Sequence, residues 1–422
     1  NFGLVASRII STSITNLTID ATEAAVSNSS LITIDASNNS SNNNDTTGSF
    51  AAGVVTGELR QSSTISILQV NGINFLTKSD IFTISGGKFA TYDIGTYFGR
   101  VVKGREDSES SGGELDIRIN VGEISRSESA TTNSNQKITL LGISSSSEVN
   151  VGGYIGNAQS VNFFGSYREN TMESELDINI LGSSTITTLN AGLVFGKNQS
   201  PLSVRMASSS FSGGLYVNSN SKITNLNAGG FVGRSTQSMN IRNLSGVNFE
   251  VAEYLSSGSL QNMDKNSFKL YKDDNTQYAK NMVSVSGTAN VGGVIGLTDA
   301  TFSLTGDNSS YTEINSDGQS IRINSTASAS QNAEVNIGSV IGKTVGVAGQ
   351  HHPSASITQN VLANANILVT ENNAGATKFN VGGMIGLIRG NSSTSGTDKV
   401  NVAVNGSSSD NSVNYTGGVF SN

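Results

Sequence analysis

Asn290-Val291-Gly292-Gly293-Val294-Ile295-Gly296 is the stretch that decides the fold. Its last six residues return as Val151 to Gly156, Val381 to Gly386, Ile337 to Gly342, Ala228 to Gly233 and Ala191 to Gly196. Looser copies occupy Ala52 to Gly57 and Ile94 to Gly99, and two more frame the sequence at Phe2 to Ser7 and Thr416 to Ser421. Successive copies lie about 35 to about 65 residues apart. A motif recurring in this way from one end to the other marks a repeat protein, in which each unit buries its apolar face against its neighbours.

The box sets apolar residues beside glycines. The glycine positions are Gly53 and Gly57, Gly95 and Gly99, Gly152, Gly153 and Gly156, Gly192 and Gly196, Gly229, Gly230 and Gly233, Gly292, Gly293 and Gly296, Gly338 and Gly342, Gly382, Gly383 and Gly386, then Gly417 and Gly418. Glycine in a strand loses entropy and packing. Its recurrence implies either a tight corner needing positive φ or a close approach of backbone between stacked coils. Asparagine precedes the box at Asn150, Asn190, Asn227, Asn290, Asn336 and Asn380. Held at a constant phase, these residues suit an internal ladder of amides; the alternative is that asparagine simply favours a turn.

Between boxes, Leu115-Asp116-Ile117-Arg118-Ile119 alternates with the period of a half-buried strand. Leu176-Asp177-Ile178-Asn179-Ile180 and Ile321-Arg322-Ile323 repeat that figure. Asn38 to Thr47 and the charged run Lys103 to Ser110 read as exposed loops. The widest interval, Gly233 to Val291, reads as an insertion over residues 234–290, with a short helix at Phe249 to Leu255 and an aromatic segment containing Tyr271 and Tyr278. The predicted fold is therefore all-β: a single β-solenoid (β-helix) array over residues 1–422, with irregular coils of about 40 residues. Ten boxes exceed the usual blade number of a propeller.

Composition narrows the function. The 422 residues include 47 glycines, 2 prolines and no cysteine, which excludes disulfides, thiolate chemistry and sulfur metal sites. A net charge of -7 and a pI near 5.0 argue against a nucleic-acid partner. No apolar run approaches a membrane span, and Asn1 to Ile10 lacks a signal-peptide layout. A start at Asn rather than Met reads as a processed or partial chain.

Gly292-Gly293-Val294-Ile295-Gly296 and Gly229-Gly230-Phe231-Val232-Gly233 resemble the Gly-Gly-Leu-Val-Gly type repeats of bacterial and protist surface proteins and adhesins. The central Leu is replaced here by Tyr154, Phe231, Val294 or Met384, and the cysteine common downstream in that family is absent. The resemblance implies an extracellular β-helical passenger or adhesive stalk without catalytic residues of its own.

The remaining polar residues hold few candidates for catalysis or metal binding. Asp116 and Asp177 hold the same place in their strands and would line up as paired carboxylates if those strands were adjacent rungs. Arg118 and Arg322 share their alternation, so the series reads as a solvated face. His351 and His352 are the only histidines and lack partners for a metal site or triad. Asp273-Asp274-Asn275 and Asp307-Asn308 lack calcium-loop spacing. No catalytic residue, metal or cofactor is assigned. Sequons at Asn16, Asn28, Asn198, Asn243, Asn308, Asn324, Asn391 and Asn405 are candidate glycosylation sites.

Boxes at both termini lack polar caps, which implies a homopolymer joined end to end or a longer parent chain. The expectation is an extracellular structural or adhesive protein, a fibre or cell-surface stalk subunit, with surface glycans as further partners. The alternatives are a carbohydrate-acting β-helix enzyme and a carbohydrate-binding array, the latter favoured if Tyr216, Tyr271 and Tyr278 line one groove.

Overall fold

The computed structural model describes residues 1–10, 14–15, 18–21, 30–37, 48–60, 67–77, 81–102, 116–126, 136–159, 171–206 and 208–254. It continues with 282–306, 312–315, 320–328, 330–331, 333–345, 354–358, 361–371, 377–389, 401–405 and 413–421. The chain is an all-β solenoid, and no α-helix occurs among the described residues. Among the described residues the strands form sheets of 24, nine and five strands. Every strand pairing among the described residues is parallel, which distinguishes the coil from the antiparallel blade of a propeller.

One rung shows the path. Thr185–Gly192 runs into Phe195–Asn198, then Leu202–Arg205, then Ser208–Val217, before the next rung begins at Lys222. Stacking rungs in sequence order makes four ladders. The first contains nine strands, from Phe2–Gly3 to Thr377–Gly382. The second is the nine-stranded sheet, from Ala6–Ile10 to Ile385–Arg389. The third is the five-stranded sheet, from Leu202–Arg205 to Asn401–Asn405. The fourth takes in Thr171–Leu181, Ser208–Val217, Gly246–Glu253 and Val361–Glu371. Val283–Val285 pairs with both Ile223 and Ile323, joining the first and fourth ladders into the 24-stranded sheet.

Stacking puts like over like. Val151, Ala191, Ala228, Val291, Ile337 and Val381 form one column, and Ile155, Phe195, Val232, Ile295, Ile341 and Ile385 another. Their side chains belong to one continuous apolar core. The central box residues add aromatics. Tyr97 stacks on Tyr154 at 5.4 Å, and Phe231 meets Phe195 and Phe211 edge-on at 6.0 and 5.7 Å.

Two expectations about elements are corrected. The helix expected at Phe249 to Leu255 is strand through Glu253: Gly246–Glu253 lies in register with Ser210–Val217, and Phe249 and Val251 are buried. Alternating burial, not helical spacing, is what those apolar residues satisfy. Of the interval 234–290, Met239–Arg242, Gly246–Glu253 and Val283–Val285 are rung strands, while residues 255–281 lie outside the described residues. The last box is not in the first ladder. Val413–Ser421 pairs with Val361–Val369, placing Gly417 and Gly418 beside Ala365 and Asn366 in the fourth.

Candidate functional site

The corner between the first and second ladders carries the repeated residues. The first box glycines share one column: Gly53, Gly95, Gly152, Gly192, Gly229, Gly292, Gly338 and Gly382. None of them, and none of the last box glycines, has positive φ. The corner requirement for positive φ is thus overturned at the box. It applies instead to the turn from the fourth ladder into the next rung, where Gly86, Gly87, Gly142 and Gly182 have φ of 66°, 87°, 62° and 66°.

At the box the reason for glycine is backbone contact. A Cβ built on Gly152 would lie 1.9 Å from the Ile155 oxygen and 2.8 Å from the Gly196 nitrogen. One built on Gly196 would lie 2.5 Å from the Val151 nitrogen and 2.7 Å from the Gly156 oxygen. The first glycine of each rung therefore faces the last glycine of the next, as in Gly53 with Gly99, Gly192 with Gly233 and Gly292 with Gly342. Two sheets meet here with no side chain between them. The middle position is less strict: Gly153, Gly230, Gly293 and Gly383 occupy it in four rungs, and Val54, Thr96, Leu193 and Ser339 in four more.

The asparagines before the box make a continuous chain of hydrogen bonds. Asn380 Nδ2 donates to Asn336 Oδ1 at 2.7 Å, Asn336 to Asn290 at 2.8 Å, and Asn290 to Asn227 at 2.7 Å. Asn227 donates to Asn190 at 2.8 Å, Asn190 to Asn150 at 2.7 Å, and Asn150 Nδ2 to Asp93 Oδ1 at 2.7 Å. The spacing of parallel strands matches the reach of an amide, so each asparagine serves its neighbours on both sides. All six donate toward the N-terminal rungs. Asp93 accounts for that direction, because a carboxylate accepts and cannot donate. Burial raises the Asp93 pKa above the usual carboxylate value, while Arg100 and the amides of Asn150 and Asn157 pull against it. Below Asp93 the column passes to Ala51, and the ladder stops.

Charge flanks the ladder. Arg100 Nε lies 3.3 Å from Asp93 Oδ2. Arg100, Asn157, Lys197, Arg234, Leu297 and Lys343 form one column on the second ladder. Its cations meet acids of neighbouring elements: Lys197 to Glu148 at 2.6 Å, Arg234 to Asp299 at 2.9 Å, and Lys343 to Glu334. Burial raises the Glu334 pKa, but its contacts with Lys343 and Asn336 outweigh that and hold it below the usual value. Glu58 behaves alike: burial is outweighed by Arg60, Arg8 and Arg100.

The alignment of Asp116 with Asp177 does not occur. Asp116 pairs with Ile67, whereas Asp177 lies between Lys137 and Gly214, because the strands Asp116–Arg126 and Thr171–Leu181 are in register only at Ile124 and Ser174. Arg118 pairs with Gln69 and Arg322 with Leu368, so they share no column either. Tyr216 is half-buried, lies across Gly214 and donates to Glu250 Oε2 at 3.1 Å. Two sequons are inside the fold. Asn198 is fully buried and donates to the Ser200 oxygen and to Ser235 Oγ, and Asn324 is 6% exposed. Asn243 is half-buried with φ of 57°. Asn405 ends a third-ladder strand. Asn16, Asn28, Asn308 and Asn391 lie outside the described residues, as do Tyr271, Tyr278, His351, His352, residues 273–275 and the loops 38–47 and 103–110.

No family model, curated protein or solved structure matches the chain. No helix among the described residues is long and apolar enough to cross a membrane. No group of three or more metal-ligating side chains occurs among them. Sequence reasoning placed the asparagine column but missed its end: Asp93 occupies the same place before its own box, and that substitution was the available signal.

Proposed function

We propose that this chain is an extracellular structural or adhesive repeat protein, a fibre or cell-surface stalk subunit whose working part is the stacked coil. The observation carrying this reading is axial continuity: glycine columns and an amide ladder run through successive rungs, so residue identity follows position along the array. Such regularity serves length and stiffness, because each rung is held by its neighbours. Phe2, Leu4, Val5 and Ile10 are 38–52% exposed, and Val381, Met384 and Ile385 are half-buried at the opposite face. Another rung of the same grammar, from a copy of the chain or from a longer parent chain, would cover them.

The test is electron microscopy and fibre diffraction of the intact protein at high concentration, beside a polysaccharide depolymerisation assay. Fibres of uniform width with an axial repeat of about 4.8 Å are expected, without turnover. A monodisperse monomer that cleaves polysaccharide would replace this reading with the carbohydrate-acting one.

A further inference from the structure

We propose that Lys343 and Asn336 join in an intramolecular isopeptide bond, with Glu334 as the base and ammonia as the leaving group. The bond ties the first ladder to the second across the box corner. It needs only three side chains of one rung, and is independent of whether the coil is a stalk or an enzyme.

The three groups meet in a closed place. Lys343 is 9% exposed and Asn336 is fully buried. Both use the same oxygen: Lys343 Nζ donates to Glu334 Oε2, and Asn336 Nδ2 donates to that atom at 3.4 Å. Their strands, Ala333–Gly338 and Ile341–Val345, are each paired with a rung on both sides. Amine and amide are thus held against one carboxylate inside the array. Burial opposes charge on Glu334, but Lys343 and Asn336 hold its pKa below the usual value, leaving a carboxylate that accepts a proton. An amine fixed beside such a base is an activated nucleophile, and the fold supplies the encounter.

Glu334 takes one proton from the Lys343 ammonium, and the freed Nζ electron pair attacks Asn336 Cγ. In the tetrahedral adduct Nζ gives up a second proton and Nδ2 gains one. The Cγ–Nδ2 bond then breaks, and the departing ammonia takes the first proton from Glu334. An ammonium and a primary amide become a secondary amide and a free ammonium ion, with no oxidant or cofactor.

The asparagine ladder survives this exchange. Asn336 Nδ2 has two hydrogens, one given to Asn290 Oδ1 at 2.8 Å and the other to Glu334. The new amide keeps one N–H for Asn290 and its oxygen for Asn380. Only the hydrogen given to Glu334 is lost. Other cations of the column lack the set. Arg100 and Arg234 carry guanidinium groups, which stay charged. Lys197 donates to Glu148, but no ladder amide bonds Glu148 among the described residues.

The experiment is intact mass spectrometry of the denatured 422-residue chain, followed by fragmentation of the peptide that contains residues 336–343. A mass one ammonia below that of the sequence is expected, with no backbone fragments between Asn336 and Lys343. Lys343→Arg should restore the full mass. Glu334→Gln should slow ammonia loss about a hundredfold or more, followed with time after synthesis. Circular dichroism checks that both variants fold; if either does not, the wild-type mass and fragment map decide alone. A wild-type chain of full mass would overturn the proposal. So would a deficit that persists in Lys343→Arg, which marks an asparagine cyclised onto its own backbone, or a Glu334→Gln chain that reacts at the wild-type rate.

Discussion

The box corner and the fourth ladder are built from the same strands under different constraints. At the corner, two sheets touch backbone to backbone, and the residues repeat: Asn before the box, glycine at its second and last positions, two residues between strands. In the fourth ladder, side chains separate the strand from its surroundings, and strand length varies from three residues at Thr312–Ile314 to 11 at Val361–Glu371. Identity is held where atoms have no room to give. Where side chains intervene, only the alternation is held.

The largest effect expected from that contrast is at Gly196. An added methyl would overlap the Val151 nitrogen and the Gly156 oxygen, and neither can move without shifting a strand. Gly196→Ala should cost about 3 kcal/mol or more by chemical denaturation. Gly246 in the fourth ladder is the control: its built Cβ finds only the Glu313 oxygen, at 3.8 Å. Gly246→Ala should leave stability unchanged or raise it by about 0.5 kcal/mol. Equal costs at the two sites would dissolve the distinction.

Next in size is the ladder. Asn190→Leu strands the Asn150 acceptor and the Asn227 donor in a buried column. A loss of about 3 kcal/mol is expected, with hydrogen exchange quickening first in the rungs on either side. Gly142 tests the third kind of position. Nothing lies within 4 Å of its built Cβ, but its φ is 62°. Gly142→Ala should cost about 1 kcal/mol through backbone strain alone. Gly142→Asn, which tolerates that conformation, should recover most of it.

The smallest effect is set by pH. Asp93 has a raised pKa in the fold, so between the unfolded value of 3.8 and the folded one the native state binds more protons. Its contribution to stability therefore grows as pH falls through the folded pKa, opposite in sign to Glu58 and Glu334, whose contributions fade on acidification. Wild type measured against Asp93→Asn should gain ground when pH falls from 7 toward 4. A difference independent of pH would remove Asp93 as the titrating end of the ladder.

The corner was legible in the sequence because its residues recur as a unit, and Asn at constant phase points to a stacked column. The sign of φ was not, since glycine serves two purposes that look alike in one dimension. Gly142 bends the chain with positive φ, whereas Gly152 merely lets another backbone in. Alignment far from the box was equally hidden. Asp116 and Asp177 share a local figure, but the connections between boxes differ in length, so counting from the motif places them in different strand pairings. Thr416 to Ser421 copies the box in letters while its strand pairs with the fourth ladder. Phe249 and Val251 fit helix or strand spacing over so short a run, and the neighbouring rung decides between them.

The uniform sense of donation along the ladder has an electrical consequence. Backbone groups of a sheet alternate in direction and largely cancel. The six side-chain amides from Asn380 to Asn150 do not, because each is oriented by the one before it. The coil thus carries a permanent dipole along its axis that grows with every asparagine rung, ending in the carboxylate of Asp93. Rods of this kind orient in an applied field, and two lying side by side are held best when they point in opposite directions.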